Sequence, residues 1–368
     1  MPLRVLHYVD SDTFGGTERS LLQLADGLGR RGFDCSIRCH EEPDLARLRG
    51  EADARGIAIG QLPRSAAWKT PRLFWRLVRD FAAARPTIVH VHMPWVLSGR
   101  DAVAAARLAR VPVVIATRQL WIPMHVNAID HAKFRLLARW IDAYIAVSRR
   151  IATQLADEYR VPRAKIRVVY NGASIVPRRP AAAPARRGAP LRVLTIARMH
   201  PQKGLDDLIR AVPRIPNATF AIAGDGPERG YLEECARSLG VADRVAFLGF
   251  REDVSDLLDD CDVVVLPSLY EGLPLVLLEA MAREKPIVGT AVPGIDEVLE
   301  DGAGVLVPPR DPEALAAAIN ALAADPDHAR RIAARGRERV EARFSVERMV
   351  DGVAEVYAEA LESAAISR

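Results

Sequence analysis

Two glutamates that stand eight residues apart, Glu271 and Glu279, are well suited to bind a polyhydroxylated ligand. Glu271 lies in a turn after the apolar run Val263–Leu266, which has the pattern of a buried strand. Glu279 lies about two turns along the helix that is predicted next, Leu275–Arg283. Carboxylates accept hydrogen bonds from hydroxyl groups, so a sugar or a ribose would suit this pair. The alternative is a buried strand and an amphipathic helix that carry two solvated glutamates.

Two cations, Arg198 and Lys203, lie close together in the second half of the chain. Arg198 follows the predicted strand Leu191–Ala197 and Lys203 stands at a helix entry, so both can converge on one anion. Gly224 and Gly226 follow the next predicted strand. Their spacing is not G-x-G-x-x-G, because a proline intervenes, and this counts against a dehydrogenase.

Gly15 and Gly16 lie between the first predicted strand, Leu3–Val9, and a helix with apolar residues at helical spacing. Glycines let the backbone approach a ligand closely, and a helix start favours negative charge, so this loop is a candidate phosphate site. A tight turn between a strand and a helix is the alternative. The D-x-D pattern of Asp10–Asp12 matches one that holds metal ions, but it recurs twice elsewhere in the chain, and we expect no metal site.

Two histidines, His90 and His92, lie in the predicted strand Thr87–His92. We expect their side chains to point to opposite faces of the sheet. His92 is closer to the strand end, so it is the candidate for a functional site, and we expect His90 to be a packed histidine.

Strands alternate with helices along the chain, which predicts parallel sheets that are covered on both faces. Ligands of such sheets bind beyond the carboxyl ends of the strands. Residues 177–190 are rich in proline, alanine and arginine and predict a linker. Ser345 can cap a final helix that runs to about Leu361 and is long enough to reach the first domain. The other segments predicted as strands and their loops are Val111–Ala116, Tyr144–Val147, Ile166–Val169, Phe220–Ala223, Val245–Leu248, Pro286–Gly289 and Gly304–Val307.

Length and composition indicate a two-domain globular protein. The chain has 368 residues, more than one typical core accommodates, with 49% hydrophobic and 27% charged residues. It has no apolar run long enough for a transmembrane helix, and its N-terminus lacks a signal-peptide pattern. Its four cysteines show neither zinc-site spacing nor a disulfide framework, which predicts a cytoplasmic location.

The charge is unevenly distributed. Residues 1–180 carry 29 Lys and Arg against 16 Asp and Glu, whereas the remainder carries 22 against 31. A basic first half suggests an anionic partner, such as a membrane surface or a phosphorylated substrate, although arginines on solvated faces are the alternative. The stretch Trp68–Arg85 mixes aromatic and basic residues, so it could lie on an anionic membrane or pack its aromatic face on the sheet. No nucleic-acid-binding motif is present.

Taken in order, these motifs resemble the retaining glycosyltransferases of family 4. The resemblance covers nearly the whole chain and combines motifs that are weak one by one: Gly15-Gly16-x-Glu18, Val147-Ser148, Asn171-Gly172, Arg198 with Lys203, Gly224-Asp225-Gly226, and Glu271 with Glu279. It implies the GT-B fold, which is α/β with two Rossmann-like parallel-sheet domains facing each other across a cleft. The acceptor-binding domain would span residues 1–176, the linker 177–190, the nucleotide-sugar-binding domain 191–345, and a helix in 346–368 would cross back to the first domain.

The same resemblance implies roles for the candidate residues. Arg198 and Lys203 would hold the diphosphate of a nucleotide-diphospho-sugar and stabilise its charge as it leaves, in place of a metal, and no cofactor is expected. A UDP-sugar is mildly favoured. Glu271 would orient the sugar, with the backbone of Gly272 and Leu273, and Glu279 would bind the ribose. The glycine loops, with Gly15, Gly16, Gly224 and Gly226, would complete the donor site. Gly16 would clamp the phosphate from across the cleft.

The acceptor side departs from the family pattern. Family members often carry a histidine just after the strand that corresponds to Val111–Ala116. Aligned on Thr117, that position is Gln119 here, next to Arg118. Glutamine can hydrogen-bond a sugar hydroxyl but cannot carry a proton or a charge. Either His92 or Arg118 takes part in catalysis instead, or that role is dispensable. Glu18 is a further candidate on the acceptor side.

The function implied is a hexosyltransferase that moves a sugar with retention, and without a metal, to a hydroxyl of a glycolipid, a lipid-linked saccharide or a polysaccharide. Peripheral contact with an anionic membrane fits such an acceptor. A nucleotide-sugar epimerase or hydrolase on the same fold is one alternative, since Glu271 and His92 could act as acid and base. A non-catalytic nucleotide-sugar-binding protein is another, suggested by Gln119 alone.

Overall fold

The computed structural model describes residues 2–62, 70–94, 97–122, 128–178 and 189–366. The chain forms two compact units. One contains Met1–Gly172 together with Val346–Arg368, and the other contains Ala173–Ser345. Most of the linker predicted at 177–190 lies outside the described residues, as do Trp68 and Lys69 of the aromatic and basic stretch.

The first unit is built on a seven-stranded parallel sheet with the strand order β3-β2-β1-β4-β5-β6-β7. The central strands β1, β4 and β5 are almost wholly buried, as expected for a sheet with helices on both faces. The strands are β1 (Arg4–Val9), β2 (Asp34–His40), β3 (Ala58–Leu62), β4 (Ile88–Met93), β5 (Val113–Arg118), β6 (Ala143–Ala146) and β7 (Ile166–Val168).

Six helices of the first unit follow its strands in turn. Each helix buries one face because its apolar residues recur at helical spacing. In the first helix, Leu21, Leu24 and Leu28 are buried, while Arg30 near the C-terminus is exposed. The helices are α1 (Gly16–Arg30), α2 (Ala46–Ala54), α3 (Pro71–Ala84), α4 (Arg100–Leu108), α5 (Ala128–Arg139) and α6 (Arg149–Asp157).

The second unit has a six-stranded parallel sheet with the order β10-β9-β8-β11-β12-β13. Its strands are β8 (Leu191–Ile196), β9 (Ala218–Ala223), β10 (Val245–Gly249), β11 (Val263–Leu266), β12 (Ile287–Thr290) and β13 (Val305–Val307). Its helices are α7 (Leu205–Ala211), α8 (Arg229–Ser238), α9 (Val254–Asp260), α10 (Leu275–Met281), α11 (Ile295–Val298), α12 (Pro312–Ala324) and α13 (Pro326–Arg343). Two parallel sheets confirm the predicted α/β class.

The last helix, α14 (Val346–Ile366), belongs to the first unit and packs on α1. A Cβ added to Gly27 of α1 would lie 2.4 Å from Val350, so only a glycine permits this close approach. Val353 and Tyr357 extend the same buried cluster onto β1 and β5. Among the described residues, no helix combines the length and apolar character that crossing a bilayer requires.

Candidate functional site

The second unit brings a lysine, a glutamate and a serine together at the carboxyl ends of two neighbouring strands. Lys203 closes a short 3₁₀ turn after β8, and Glu271 lies in the loop after β11. Lys203 Nζ lies 2.6 Å from Glu271 Oε1, and the buried Ser268 Oγ donates to the same oxygen at 2.7 Å. Two donors therefore fix one carboxylate oxygen. Ser268 was not among the predicted residues, although it stands only three positions before Glu271.

The loops that carry Lys203 and Glu271 are also joined by one backbone hydrogen bond and one side-chain hydrogen bond. Leu269 N donates to Gln202 O at 2.7 Å, and Gln202 Nε2 donates to Tyr270 O at 2.9 Å. Gly204 adopts a φ of +58°, and a Cβ there would lie 2.2 Å from Pro267 O. A glycine is therefore required where one loop crosses the other.

Arg198 lies just after β8 and its side chain is exposed. Within the described part of the chain, no carboxylate partner is seen for its guanidinium, so it can bind an external anion. Gly224 and Gly226 have φ values of +136° and +157°, and a Cβ on them would lie 2.0 and 2.3 Å from Ala197 O and Met199 O. The glycine loop thus packs on the backbone to either side of Arg198. This close packing requires glycines at both positions even without a ligand.

The motif around the second glutamate forms α10, which ends at Met281, slightly earlier than predicted. Gly272 and Leu273 are buried before the helix begins, and Glu279 is half-buried on it. Gly294, with a φ of +89°, packs so closely on Gly272 that a Cβ would lie 2.4 Å from Gly272 O.

In the first unit, the glycine loop caps a helix. Gly15 is the N-cap of α1 and Gly16 is its first residue. The buried Glu18 side chain reaches back and accepts a hydrogen bond from Gly15 N at 2.7 Å. Glu18, predicted on the acceptor side, therefore has a clear role in starting α1.

The expectation that His90 and His92 face opposite sides of the sheet is wrong. Residues two apart on a strand share a face, and the two rings are stacked with centroids 4.4 Å apart. His7 on β1 lies beside them, with Nδ1 3.1 Å from His92 Nε2. His90 contacts Tyr357 Oη through Nδ1 at 2.7 Å and Thr117 Oγ1 through Nε2 at 2.6 Å. The histidines thus form one buried polar network.

Burial determines the charge state of these histidines. It lowers the pKa of His92 to about 3 and holds the pKa values of His7 and His90 well below the usual range, with repulsion between the imidazoles adding to the effect for these two. All three are therefore neutral at physiological pH, and His92 has almost no exposed surface. Its position does not suit proton exchange with a ligand in solvent.

Two groups in the first unit have ligand types that metals prefer. Atoms of His7, His90 and His92 lie within 4.8 Å of one another, but both ring nitrogens of His90 already have hydrogen-bond partners. Asp10 of the D-x-D pattern has one oxygen 2.8 Å from His40 Nε2, and its other oxygen accepts from Gly99 N at 2.7 Å. Asp10 and His90 therefore already serve the protein's own hydrogen bonding, whereas His7 Nε2 and His92 Nδ1 have no hydrogen-bond partner among the described residues.

The two residues predicted on the acceptor side after β5 differ in their surroundings. Gln119 Oε1 accepts a weak hydrogen bond of 3.4 Å from Asn171 Nδ2, and Asn171 Oδ1 accepts one of 2.9 Å from Ser20 Oγ. Arg118 is buried, because β5 continues to it rather than ending at Ala116 as predicted. Its side chain therefore projects from a face of the sheet and not from a loop.

Two family models together match most of the chain. The model described as glycosyl transferases group 1 matches residues 181–339, and the model described as Glycosyltransferase Family 4 matches residues 14–175. The chain belongs to the family 4 glycosyltransferases. The family and the GT-B fold expected from the motifs are confirmed, whereas retention stays a prediction.

Curated relatives agree with this assignment, and a solved structure agrees with the fold. Glycogen synthase of Mycobacterium tuberculosis is 29% identical over 93% of this glycosyltransferase and 91% of its own chain. Alpha-D-kanosaminyltransferase of Streptomyces kanamyceticus is 29% identical over 80% and 83%. The structure of Anabaena Alr3699/HepE in complex with UDP and glucose superposes with a TM-score of 0.84 at 23% identity, covering 97% of this chain and 100% of the other.

Proposed function

We propose that this glycosyltransferase transfers a hexose from a nucleotide-diphospho-sugar, with a UDP-sugar favoured, to a hydroxyl group, with retention and without a metal ion. The observation that carries the proposal is the joining of Lys203 and Glu271 beside the exposed Arg198, all at the carboxyl ends of β8 and β11. This edge is where parallel sheets bind their ligands. The complex of Anabaena Alr3699/HepE with UDP and glucose supports the choice of donor.

On this proposal, Arg198 and Lys203 bind the diphosphate and stabilise its charge as the bond to the sugar breaks. The donor competes with Glu271 for the Lys203 ammonium, which frees Glu271 Oε1 to accept from a sugar hydroxyl. Ser268 keeps this carboxylate in place when Lys203 moves. Gly272 and Leu273 support the sugar.

The outer parts of the donor site are proposals of the same kind. Glu279 binds the ribose, and Gly224 and Gly226 hold the loop beside Arg198. Gly16 offers its backbone N–H group at the start of α1, next to Gly15, whose own N–H donates to Glu18. Gln119 is the candidate for contact with the acceptor.

The test is a thermal-shift panel of UDP, GDP, ADP and dTDP with their sugars, with and without magnesium. We expect a shift with the uracil nucleotides that does not need magnesium. The configuration of the product, read from its anomeric NMR signals, tests retention. If none of the nucleotides at millimolar concentration raises the unfolding temperature, the donor site is not formed and the proposal fails.

We further propose an acceptor at an anionic membrane surface. Trp75 on α3 is 51% exposed and stands between the exposed Arg72 and Arg76 of the same helix. Leu77 and Phe81 pack inward, so the helix both packs on the sheet and presents an aromatic residue. Ile129 and Leu136 are exposed on α5, and the exposed Trp140 follows the end of that helix, four positions after Leu136. Sedimentation with phosphatidylglycerol vesicles tests this. Binding to phosphatidylcholine vesicles that is just as strong, or no binding to either kind of vesicle, would contradict it.

A further inference from the structure

Arg118 is an unusual buried cation. Its side chain is 1% exposed, and it leaves β5 on the face opposite to Thr117, which contacts the histidine network. Within the described residues its only hydrogen bond is a long one of 3.4 Å, from Nη2 to Leu120 O. The other terminal nitrogen, Nη1, is buried and has no partner among those residues.

Two tyrosines share this environment. Tyr144 lies on the adjacent strand β6, where Ala146 pairs with Arg118 and Tyr144 pairs with Ala116, so its side chain is a diagonal neighbour on the same face. Tyr159 follows α6, and both tyrosine rings contact Phe134, with ring centroids 6.0 and 4.6 Å away. Within the described part of the chain, both buried hydroxyl groups lack a hydrogen-bond partner.

A charge in such surroundings needs compensation. An unpaired buried ion costs several kcal/mol, so buried charges in proteins are normally paired. Desolvation lowers the pKa of Arg118 to about 10, which still leaves the guanidinium charged at neutral pH. The groups that act on this charge are Tyr159 and Tyr144, and burial raises the pKa values of both, so they remain neutral and do not balance it.

We propose that Arg118, Tyr144 and Tyr159 form a buried binding site for a small monovalent anion of the halide type. Arg118 Nη1 and the two hydroxyl groups are all able to donate, and the guanidinium can do nothing else. A ligand that only accepts hydrogen bonds and carries one negative charge satisfies these donors and neutralises the arginine. A water molecule satisfies hydrogen bonds but leaves the charge uncompensated. The site lies in the first unit, next to Phe134 of α5.

Halide-dependent stability tests the site. The full chain is unfolded thermally in sodium chloride, bromide and gluconate at equal ionic strength, so that general screening is the same. We expect chloride and bromide to raise the unfolding temperature saturably above gluconate, because an anion that binds only the folded state stabilises it. Arg118→Met should abolish the difference between halide and gluconate, whereas Arg135→Met, at an exposed position of α5, should keep it. A halide effect that is absent, or equal in Arg118→Met, overturns the proposal.

Bromide diffraction gives an answer even if Arg118→Met does not fold. Crystals of the wild-type chain soaked in bromide should show an anomalous peak within hydrogen-bond distance of Arg118 Nη1. A water molecule or a protein carbonyl in that place would overturn the proposal. So would an Arg118→Met protein that is more stable than wild type in every salt, because that is the behaviour of an uncompensated buried charge.

Discussion

Lys203→Ala removes the ammonium that lies 2.6 Å from Glu271, and we expect it to lower both stability and transfer activity. The side chains of Lys203 and Glu271 are only 18% and 6% exposed, so the carboxylate would lose its counter-charge inside the protein. Breaking a fully buried pair costs about 3–5 kcal/mol. Since Ser268 still donates to the same oxygen and Lys203 is partly exposed, we expect about 2–3 kcal/mol. For a unit of this size that is a fall of about 4–12 °C in unfolding temperature.

A double-mutant cycle isolates the pair. Glu271→Gln replaces the carboxylate with a neutral amide that needs no cation, so adding it to Lys203→Ala should restore about 1–2 kcal/mol. Urea unfolding measures these differences. In the transfer assay, Lys203→Ala should lower kcat by about 100-fold or more, because a cation facing the developing phosphate charge is lost.

The control is Lys133→Ala, which removes an exposed lysine that pairs with Asp130 at 2.8 Å. Surface pairs of this kind contribute less than about 1 kcal/mol, so this variant should unfold and react like wild type. The reasoning is refuted in two separable ways. Additive stability effects of Lys203→Ala and Glu271→Gln would mean that the pair does not form. Undiminished kcat in Lys203→Ala would remove its role at the phosphate.

Three other perturbations test the same structure. Ser268→Ala should cost about 1–2 kcal/mol and lower kcat more than it raises KM, because Glu271 loses a fixed partner; an unchanged kcat would leave the serine a purely structural role. Gly224→Ala should destabilise the protein by about 3 kcal/mol, because the new Cβ would lie 2.0 Å from a carbonyl oxygen at a φ of +136°. The control, Gly50→Ala, lies in a helix with open space around it and should stabilise the protein by about 0.5–1 kcal/mol. Equal unfolding midpoints of the two variants in urea would contradict this. The pKa of His92 is about 3 in the folded chain and about 6.5 in the unfolded chain. The contribution of neutral His92 to the free energy of unfolding is therefore complete above pH 6.5 and falls by about 1.4 kcal/mol per pH unit towards pH 3. Free energies of unfolding measured in denaturant at several pH values should fall less steeply with acid in His92→Phe, and an identical pH dependence would mean that His92 is not buried as a neutral group.

Much of the sheet architecture was predictable because buried parallel strands are short, continuous apolar runs. The strand Val263–Leu266 has the predicted bounds, and Leu191–Ala197 differs from β8 by one residue. β2 and β3 escape prediction because their sequences, DCSIRCH and AIGQL, interleave polar residues at one side of the sheet. The predicted end of β5 is two residues early, and that shift moves Arg118 from a loop into a strand.

The candidate site was predictable as a set of residue types and less so as a set of contacts. Arg198, Lys203 and Glu271 were identified because they follow apolar strands at short distances along the chain. Ser268 escaped because a serine in a loop carries no signal of its own. His7 escaped because its neighbours, His90 and His92, are more than 80 positions away.

By itself, the sequence determined the family, the α/β class and the loops in which Arg198, Lys203 and Glu271 stand, because apolar runs, glycines and prolines act on the chain locally. Only the tertiary structure decided which side chains are buried and what they contact. The shared oxygen of Glu271 and the neutral histidine network depend on strands that are distant in sequence but adjacent in the sheet. So does the buried Arg118, whose charge has no counter-charge among the described residues. Burial and pairing set the charge and hydrogen bonding of a group, and both arise from neighbours that residue spacing does not specify.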